Sequence, residues 1–203
     1  MKLTLLDCFC GMGGVSDGFA AEGFEVTGID IINAQKKLNY AYNFIQADIR
    51  ELKGEDFKGF TVIWASPPCR DFSKIGVVLG HRWKNPPNPK AGLEMVKIAR
   101  TFIKDAQPQY WILENVSRLE KFYEEPSRFS ANLGKQMYRN FWGNFPMFLM
   151  PMTNKVLTAR SKKGFITHFK GERRISSWAR AKIPFPISRA FARAIREDMD
   201  AKV

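Results

Sequence analysis

Apolar residues fall in short runs along this chain, separated by polar, glycine-rich or proline-rich stretches. Leu3–Phe9 reads as a strand, Gly11-Met12-Gly13-Gly14 as a turn, and Val15–Glu22 as a helix with small residues on one face. Gly23-Phe24 closes that helix, and Glu25–Ile29 is the next strand, ending at Asp30. Phe44–Gln46, Thr61–Ala65 and Tyr110–Glu114 are further strand segments. Between the last two, Gly92–Asp105 sets Leu93, Val96, Ile98, Ala99, Phe102 and Ile103 at helical spacing. Strands alternating with helices predict an α/β fold: a doubly wound, mostly parallel sheet with helices on both faces.

Two segments break the alternation. Arg70–Lys90 carries Gly76, Gly80, Pro86, Pro87 and Pro89 and reads as a long loop, a length that compact domains usually reserve for function. Met147–Lys182 is rich in Lys and Arg and has little periodicity. Ile183-Pro184-Phe185-Pro186 then leads into a terminal helix with Ile187, Phe191 and Ile195 along one side. Residues 1–203 thus read as a single domain, with 147–182 as a short basic segment within it.

Charge narrows the choice of partner. Lys plus Arg outnumber Asp plus Glu by 32 to 20, a net charge of +12. Such an excess points to a polyanion, nucleic acid before membrane, through counterion release and long-range steering. No apolar run reaches the roughly 20 residues that span a bilayer, and the first residues lack the apolar stretch of a signal peptide. A cytoplasmic location is expected. Cys8, Cys10 and Cys69 form no CxxC pair or Cys/His cluster, so reduced thiols are expected and no metal site.

Candidate chemistry gathers at the strand ends. In Ser66-Pro67-Pro68-Cys69-Arg70-Asp71-Phe72-Ser73, two prolines stiffen the turn after an apolar run and aim the Cys69 thiol outward, as a covalent nucleophile requires. The run Tyr110-Trp111-Ile112-Leu113 ends in Glu114-Asn115-Val116, placing an acid where it can share a substrate with that thiol. Gly11, Gly13 and Gly14 let a ligand approach backbone and helix N-terminus. Asp30 can accept hydrogen bonds from ribose hydroxyls, and Asp48, in Ala47-Asp48-Ile49, from an adenine amino group. Together these three strand ends point to an adenosine-containing cofactor. Cys8 and Cys10 read as packing residues.

The segments DCFCGMGG, GIDI, ADI, SPPCRDFS and ENV, followed by IPFPISRAFARAI, resemble the motifs of the DNA (cytosine-5)-methyltransferase family in order and spacing. The resemblance runs from Asp7 to Ile195 and is greatest to small phage and prokaryotic types with a much reduced target-recognition region. It implies a Rossmann-like fold, S-adenosylmethionine as cofactor, and methyl transfer to carbon 5 of cytosine through a Cys69 adduct at carbon 6. It assigns base protonation to Glu114, orientation of the strand end to Asn115, and packing near the cofactor to Phe9. It also sets Asp7, Gly11, Gly13, Gly14, Asp30, Ile31, Asp48, Ile49, Ser66, Pro67 and Ser188 around the cofactor. Arg70–Lys90 would be the family's mobile loop over a flipped base, with Ser73 and Arg82 toward phosphate.

Two features depart from the family pattern. The Gln-x-Arg-x-Arg segment has no clean copy: Arg139, three residues after Gln136, and Arg160 are rival base-holding arginines. The short basic segment suits a clamp on phosphates more than a base-reading module. Relaxed sequence recognition, or a protein partner for target recognition, is therefore expected. DNA is the expected nucleic acid. RNA of the transfer-RNA type, or a catalytically silent DNA-binding accessory role, stays open at this level.

Overall fold

The computed structural model describes residues 2–72, 86–132, 138–149 and 182–202. Among them, seven strands form one sheet: β1 (Thr4–Cys8), β2 (Glu25–Asp30), β3 (Asn43–Gln46), β4 (Val62–Ala65), β5 (Tyr110–Val116), β6 (Phe129–Asn132) and β7 (Tyr138–Asn144). Their order is β3-β2-β1-β4-β5-β7-β6. β1 to β5 pair in parallel, and β7 runs antiparallel between β5 and β6. The strand order reverses between β1 and β4, and ligands of open α/β sheets bind beyond the carboxyl ends at such a switch point.

Among the described residues, four α-helices accompany the sheet: α1 (Gly14–Ala20), α2 (Ala34–Leu38), α3 (Pro89–Ala106) and α4 (Phe185–Asp200). On one face Leu5, Val26, Trp64 and Ile112 pack with Phe19 of α1 and Phe191 of α4. On the other, Leu6, Ile63 and Leu113 pack with Val96, Phe102 and Ile103 of α3. Burial on both faces explains why Val62-Ile63-Trp64-Ala65 is uninterruptedly apolar, as central parallel strands are.

The parallel strands and the three longer helices answer to the predicted pattern, with boundaries shifted by one to three residues, most at the start of α3. α3 begins at Pro89 rather than Gly92, because the Asn88 side chain accepts from the Ala91 amide at 3.2 Å and proline suits the first helical turn. β5 continues to Val116. Three elements had no periodic signal. α2 is a single capped turn, opened by Asn33 and closed by the left-handed Asn39. β6 is short, and β7 buries Arg139 and Asn140 beside Phe141 and Trp142, which destroys the alternation a strand normally shows.

α4 docks on α1 through glycines. A methyl group at Gly18 would run into Ser188 Oγ and the Arg189 amide, and one at Gly14 would meet the Ile183 backbone. At the far end of α1, buried Glu22 pairs with Arg189, Arg193 and Arg196 at 2.7, 3.2 and 3.0 Å. Burial pushes its carboxyl up, but the three guanidiniums outweigh this and hold it below its ordinary 4.5. A carboxylate depressed in the folded state stabilises above its unfolded value and loses that contribution as pH falls through its folded value. Glu22→Gln is therefore expected to cost about 1–3 kcal/mol near pH 7. Below pH 4.5 its stability should converge on that of the unmodified chain, as read by urea unfolding at stepped pH.

Candidate active site

The end of β4 leads directly into Ser66-Pro67-Pro68-Cys69. This turn is held from three sides. Asn115 Nδ2, at the end of β5, donates to the Pro67 carbonyl at 3.0 Å. The Phe72 amide donates to the Cys69 carbonyl at 3.1 Å, closing a turn around the cysteine. Phe72 itself is fully buried, 5.7 Å ring-to-ring from Phe122, and lies against Gly92 of α3 where a Cβ would sit 2.8 Å from its ring. The Asn88 amide donates to Asp71 Oδ1 at 3.0 Å, so the residues flanking 73–85 are tied together.

Glu114 on β5 and Arg139 on β7 meet beside Cys69. The antiparallel register pairs Glu114 with Phe141 and Val116 with Arg139, which sets both charged side chains on the α1/α4 face of the sheet. Arg139 Nε lies 3.1 Å from Glu114 Oε1, a buried ion pair whose atoms are not aligned as a hydrogen bond. Arg139 also reaches the Cys69 thiol. Burial pushes the Glu114 carboxyl up, against the opposing pull of Arg139 and a hydrogen bond from Ser66. Burial likewise pushes the Cys69 thiol up; Arg139 opposes this and Glu114 adds to it. Such a site holds a thiol pushed toward its protonated form beside an acid of raised proton affinity; the acid can deliver a proton, and the thiol must first give one up to become a nucleophile.

A second cluster surrounds the ends of β1, β2 and β3. Phe9 takes a left-handed conformation (φ 64°), costly for a bulky residue and typical of backbone held in place at a binding site. Gly11 and Gly13 follow with φ 49° and 71°. The Gly11 amide donates to Asp30 Oδ2 at 3.0 Å and the Ile32 amide to Oδ1 at 3.1 Å, so Asp30 ties the glycine turn to the end of β2. Ile31 next to it is 59% exposed, an apolar side chain left uncovered at a strand end, while Ile49 is buried. A backbone cradle, a carboxylate with lone pairs to spare and an uncovered apolar side chain fit the ribose and flat ring of an adenosine cofactor.

Some expected residues play another part. Asp7 is buried, accepts from Ser16 Oγ at 2.6 Å, and has its carboxyl pushed up to about 7 by burial; Ser16 and Tyr40 hydroxyls are 2.7 Å apart. Ser188 is fully buried and its hydroxyl donates to the Gly14 carbonyl at 2.8 Å. Both brace the glycine turn from behind rather than face a ligand, because their polar atoms are consumed inside the fold. The Asp48 carboxylate caps a short 3-10 turn and is gripped by the Arg50 guanidinium, which holds it at about 2. An adenine amino group would have to share it with Arg50. Ser66 turns its hydroxyl to Trp64 and Glu114. Ser73, Arg82, Gln136, Arg160 and nearly all of the basic segment lie outside the described residues.

The bracing residues Ser16, Tyr40 and Phe72 carried no sequence signal of their own, since each acts through a partner distant along the chain. Gly92 held a faint one, as a glycine inside a helical pattern.

The family model described as C-5 cytosine-specific DNA methylase matches residues 3–143, more than two-thirds of the chain. The chain belongs to this family. The matched stretch ends inside β7 and so takes in the Cys69, Glu114 and Arg139 cluster of this methylase-family chain. Type II methyltransferase M.FnuDI of Fusobacterium nucleatum is 32% identical over 121 residues, covering 56% of this chain and 32% of that protein. Type II methyltransferase M1.HphI of Haemophilus parahaemolyticus is 29% identical over 150 residues, covering 68% of this chain and 38% of that protein. The chain thus spans about a third of the length of these curated relatives. The crystal structure of S. pombe Dnmt2 methyltransferase overlaps 73% of this chain and 52% of its own, with TM-score 0.47 and 19% identity. Among the described residues, no helix is long and apolar enough to cross a membrane, and no cluster of His, Cys, Asp and Glu is arranged to hold a metal.

Proposed function

We propose that this chain methylates carbon 5 of cytosine in DNA. The observation that carries the reading is the meeting of Cys69, Glu114 and Arg139 beyond the ends of β4 and β5, next to the glycine turn. Family membership and the names of the relatives favour DNA over RNA.

S-adenosylmethionine, when bound, supplies an electrophilic methyl group. Asp30 would hold its ribose, the Phe9–Gly13 backbone its polar tail, and Ile31 and Ile49 its ring. Cys69 loses its proton and forms a bond from Sγ to carbon 6 of a cytosine turned out of the duplex. Glu114 gives its proton to N3 as that bond forms, so the ring does not accumulate negative charge. The electron pair released to carbon 5 takes the methyl group. The hydrogen on carbon 5 then leaves as a proton to water, as the thiol proton did, the Sγ–carbon 6 bond breaks to return the thiolate, and N3 gives its proton back to Glu114. Arg139 steadies Glu114 and the thiolate through its positive charge, and it is the base-holding arginine we favour over Arg160.

The test is methyl transfer from labelled S-adenosylmethionine to duplex DNA and to RNA of matched sequence. We expect 5-methylcytosine in the DNA digest. Label in RNA alone would reassign the substrate, and label in neither polymer, with the cofactor demonstrably bound, would overturn the enzymatic reading.

A further inference from the structure

We propose that Ser66, oriented by the indole of Trp64, is a positioning residue for Glu114. The inference rests on the catalytic reading above for its consequence in turnover, but its geometry stands apart from that reading.

Trp64 is fully buried at the centre of the sheet. Phe19, Phe141 and Phe191 stand edge-on to it at 6.0, 5.9 and 5.1 Å, from α1, β7 and α4. Three aromatic edges around one ring leave it a single orientation. Its Nε1 then points along β4 to Ser66 Oγ, at 2.9 Å. An indole nitrogen can only donate, so the Ser66 oxygen accepts here, and its one proton must be directed elsewhere.

The parallel register says where. Trp64 pairs with Ile112 and Ala65 with Leu113, so the next step along both strands brings Ser66 opposite Glu114. Residues two apart on a strand share a face, so Trp64, Ser66, Ile112 and Glu114 lie on the same side of the sheet. In the proposed arrangement Ser66 turns that proton toward the Glu114 carboxyl on the same face, favouring its ionised form. The other groups facing Glu114 are Arg139 from β7 and Cys69 from the turn after β4.

The arrangement has a chemical consequence. A carboxyl oxygen that accepts from Ser66 is a poor site for a proton, because protonation would set two donors against each other. The transferable proton is thereby confined to the other oxygen, and Glu114 is kept from rotating. An exposed strand-end carboxylate would have neither property. The Ser66 hydroxyl also works with Arg139 against burial, which pushes the Glu114 carboxyl up.

The experiment titrates Glu114 directly, using carboxyl-labelled glutamate and carbon NMR, with the signal assigned by its loss in Glu114→Gln. The midpoint should move to higher pH in Ser66→Ala and in Trp64→Phe, and stay near the original in Ser66→Thr, which keeps the hydroxyl. Trp64→Phe removes the donor from the other side of the hydrogen bond, at the cost of a cavity in the core, and gives a second reading if Ser66→Ala does not fold. In methyl transfer, kcat should fall about tenfold in Ser66→Ala, the loss of one hydrogen bond to a charged group, with KM for S-adenosylmethionine unchanged. A Glu114 midpoint identical in the original chain, Ser66→Ala and Trp64→Phe would overturn the proposal, even if the original chain methylates DNA. A shifted midpoint in a chain that methylates nothing would support the positioning role and count against the enzymatic reading instead.

Discussion

Cys69→Ser is expected to lower methyl transfer to cytosine by a factor on the order of 10³ or more, while leaving the fold and cofactor binding unchanged. The argument is electronic before it is structural. In the proposed mechanism sulfur is the polarisable atom that attacks carbon 6, and a serine hydroxyl in the same turn would be far harder to ionise. Burial already raises the thiol against the opposing charge of Arg139, so no ionised form waits at rest. Activity of the original chain should consequently rise with pH on the limb governed by the thiol, and iodoacetamide should alkylate Cys69 slowly below its ordinary value of 9.0. DNA carrying 5-fluorocytosine should form a denaturation-resistant adduct with the original chain and none with Cys69→Ser. Normal methyl transfer by the serine variant would remove the covalent mechanism.

Gly18→Ala should be strongly destabilising although it lies outside the site. Its new methyl would be driven into Ser188 Oγ and the Arg189 amide, where α4 crosses α1. Backbone cannot rotate away as a side chain can, so the helices must separate. The expected cost is about 3 kcal/mol, at the upper end for overpacking. The separation would also pull Ser188 from the Gly14 carbonyl and loosen the glycine turn, so affinity for S-adenosylmethionine should fall with stability. Gly23→Ala is the control. Nothing lies within 4 Å of its added methyl, and only its φ of +86° is unfavourable, a cost of about 1 kcal/mol. Urea unfolding and calorimetric binding of the cofactor read both effects. Equal losses in the two variants would show that helix contact is not what Gly18 protects.

Much of the fold was legible because parallel strands buried on both faces must be apolar throughout. That requirement made β1, β4 and β5 visible as Leu3–Phe9, Thr61–Ala65 and Tyr110–Glu114. β7 was invisible for the opposite reason. It carries Arg139 and Asn140 inward, and a strand that buries function has no hydrophobic period to display. The same concealment left Arg139 and Arg160 as rivals. The antiparallel pairing of β7 with β5 brings Arg139 to Glu114, whereas Arg160 lies outside the described residues. The family motifs set Asp7 and Ser188 around the cofactor, and the structure shows their polar atoms bonded within the fold behind the glycine turn. Spacing reports which residues are near a turn, but not on which side of it their side chains fall.

By itself the sequence determined the chemistry and the layers: a thiol in a proline turn, an acid at the next strand end, a glycine turn with Asp30, and a sheet covered on both faces. These are properties of local residue type and period, and they survive without knowledge of any distant contact. The tertiary structure alone decided which charge sits beside the thiol, that Asp7 is consumed as a brace, and that the Trp64 indole holds Ser66 on the face that carries Glu114. Each of those facts depends on register between strands far apart in the chain. A shift of one residue would turn every such side chain to the opposite face.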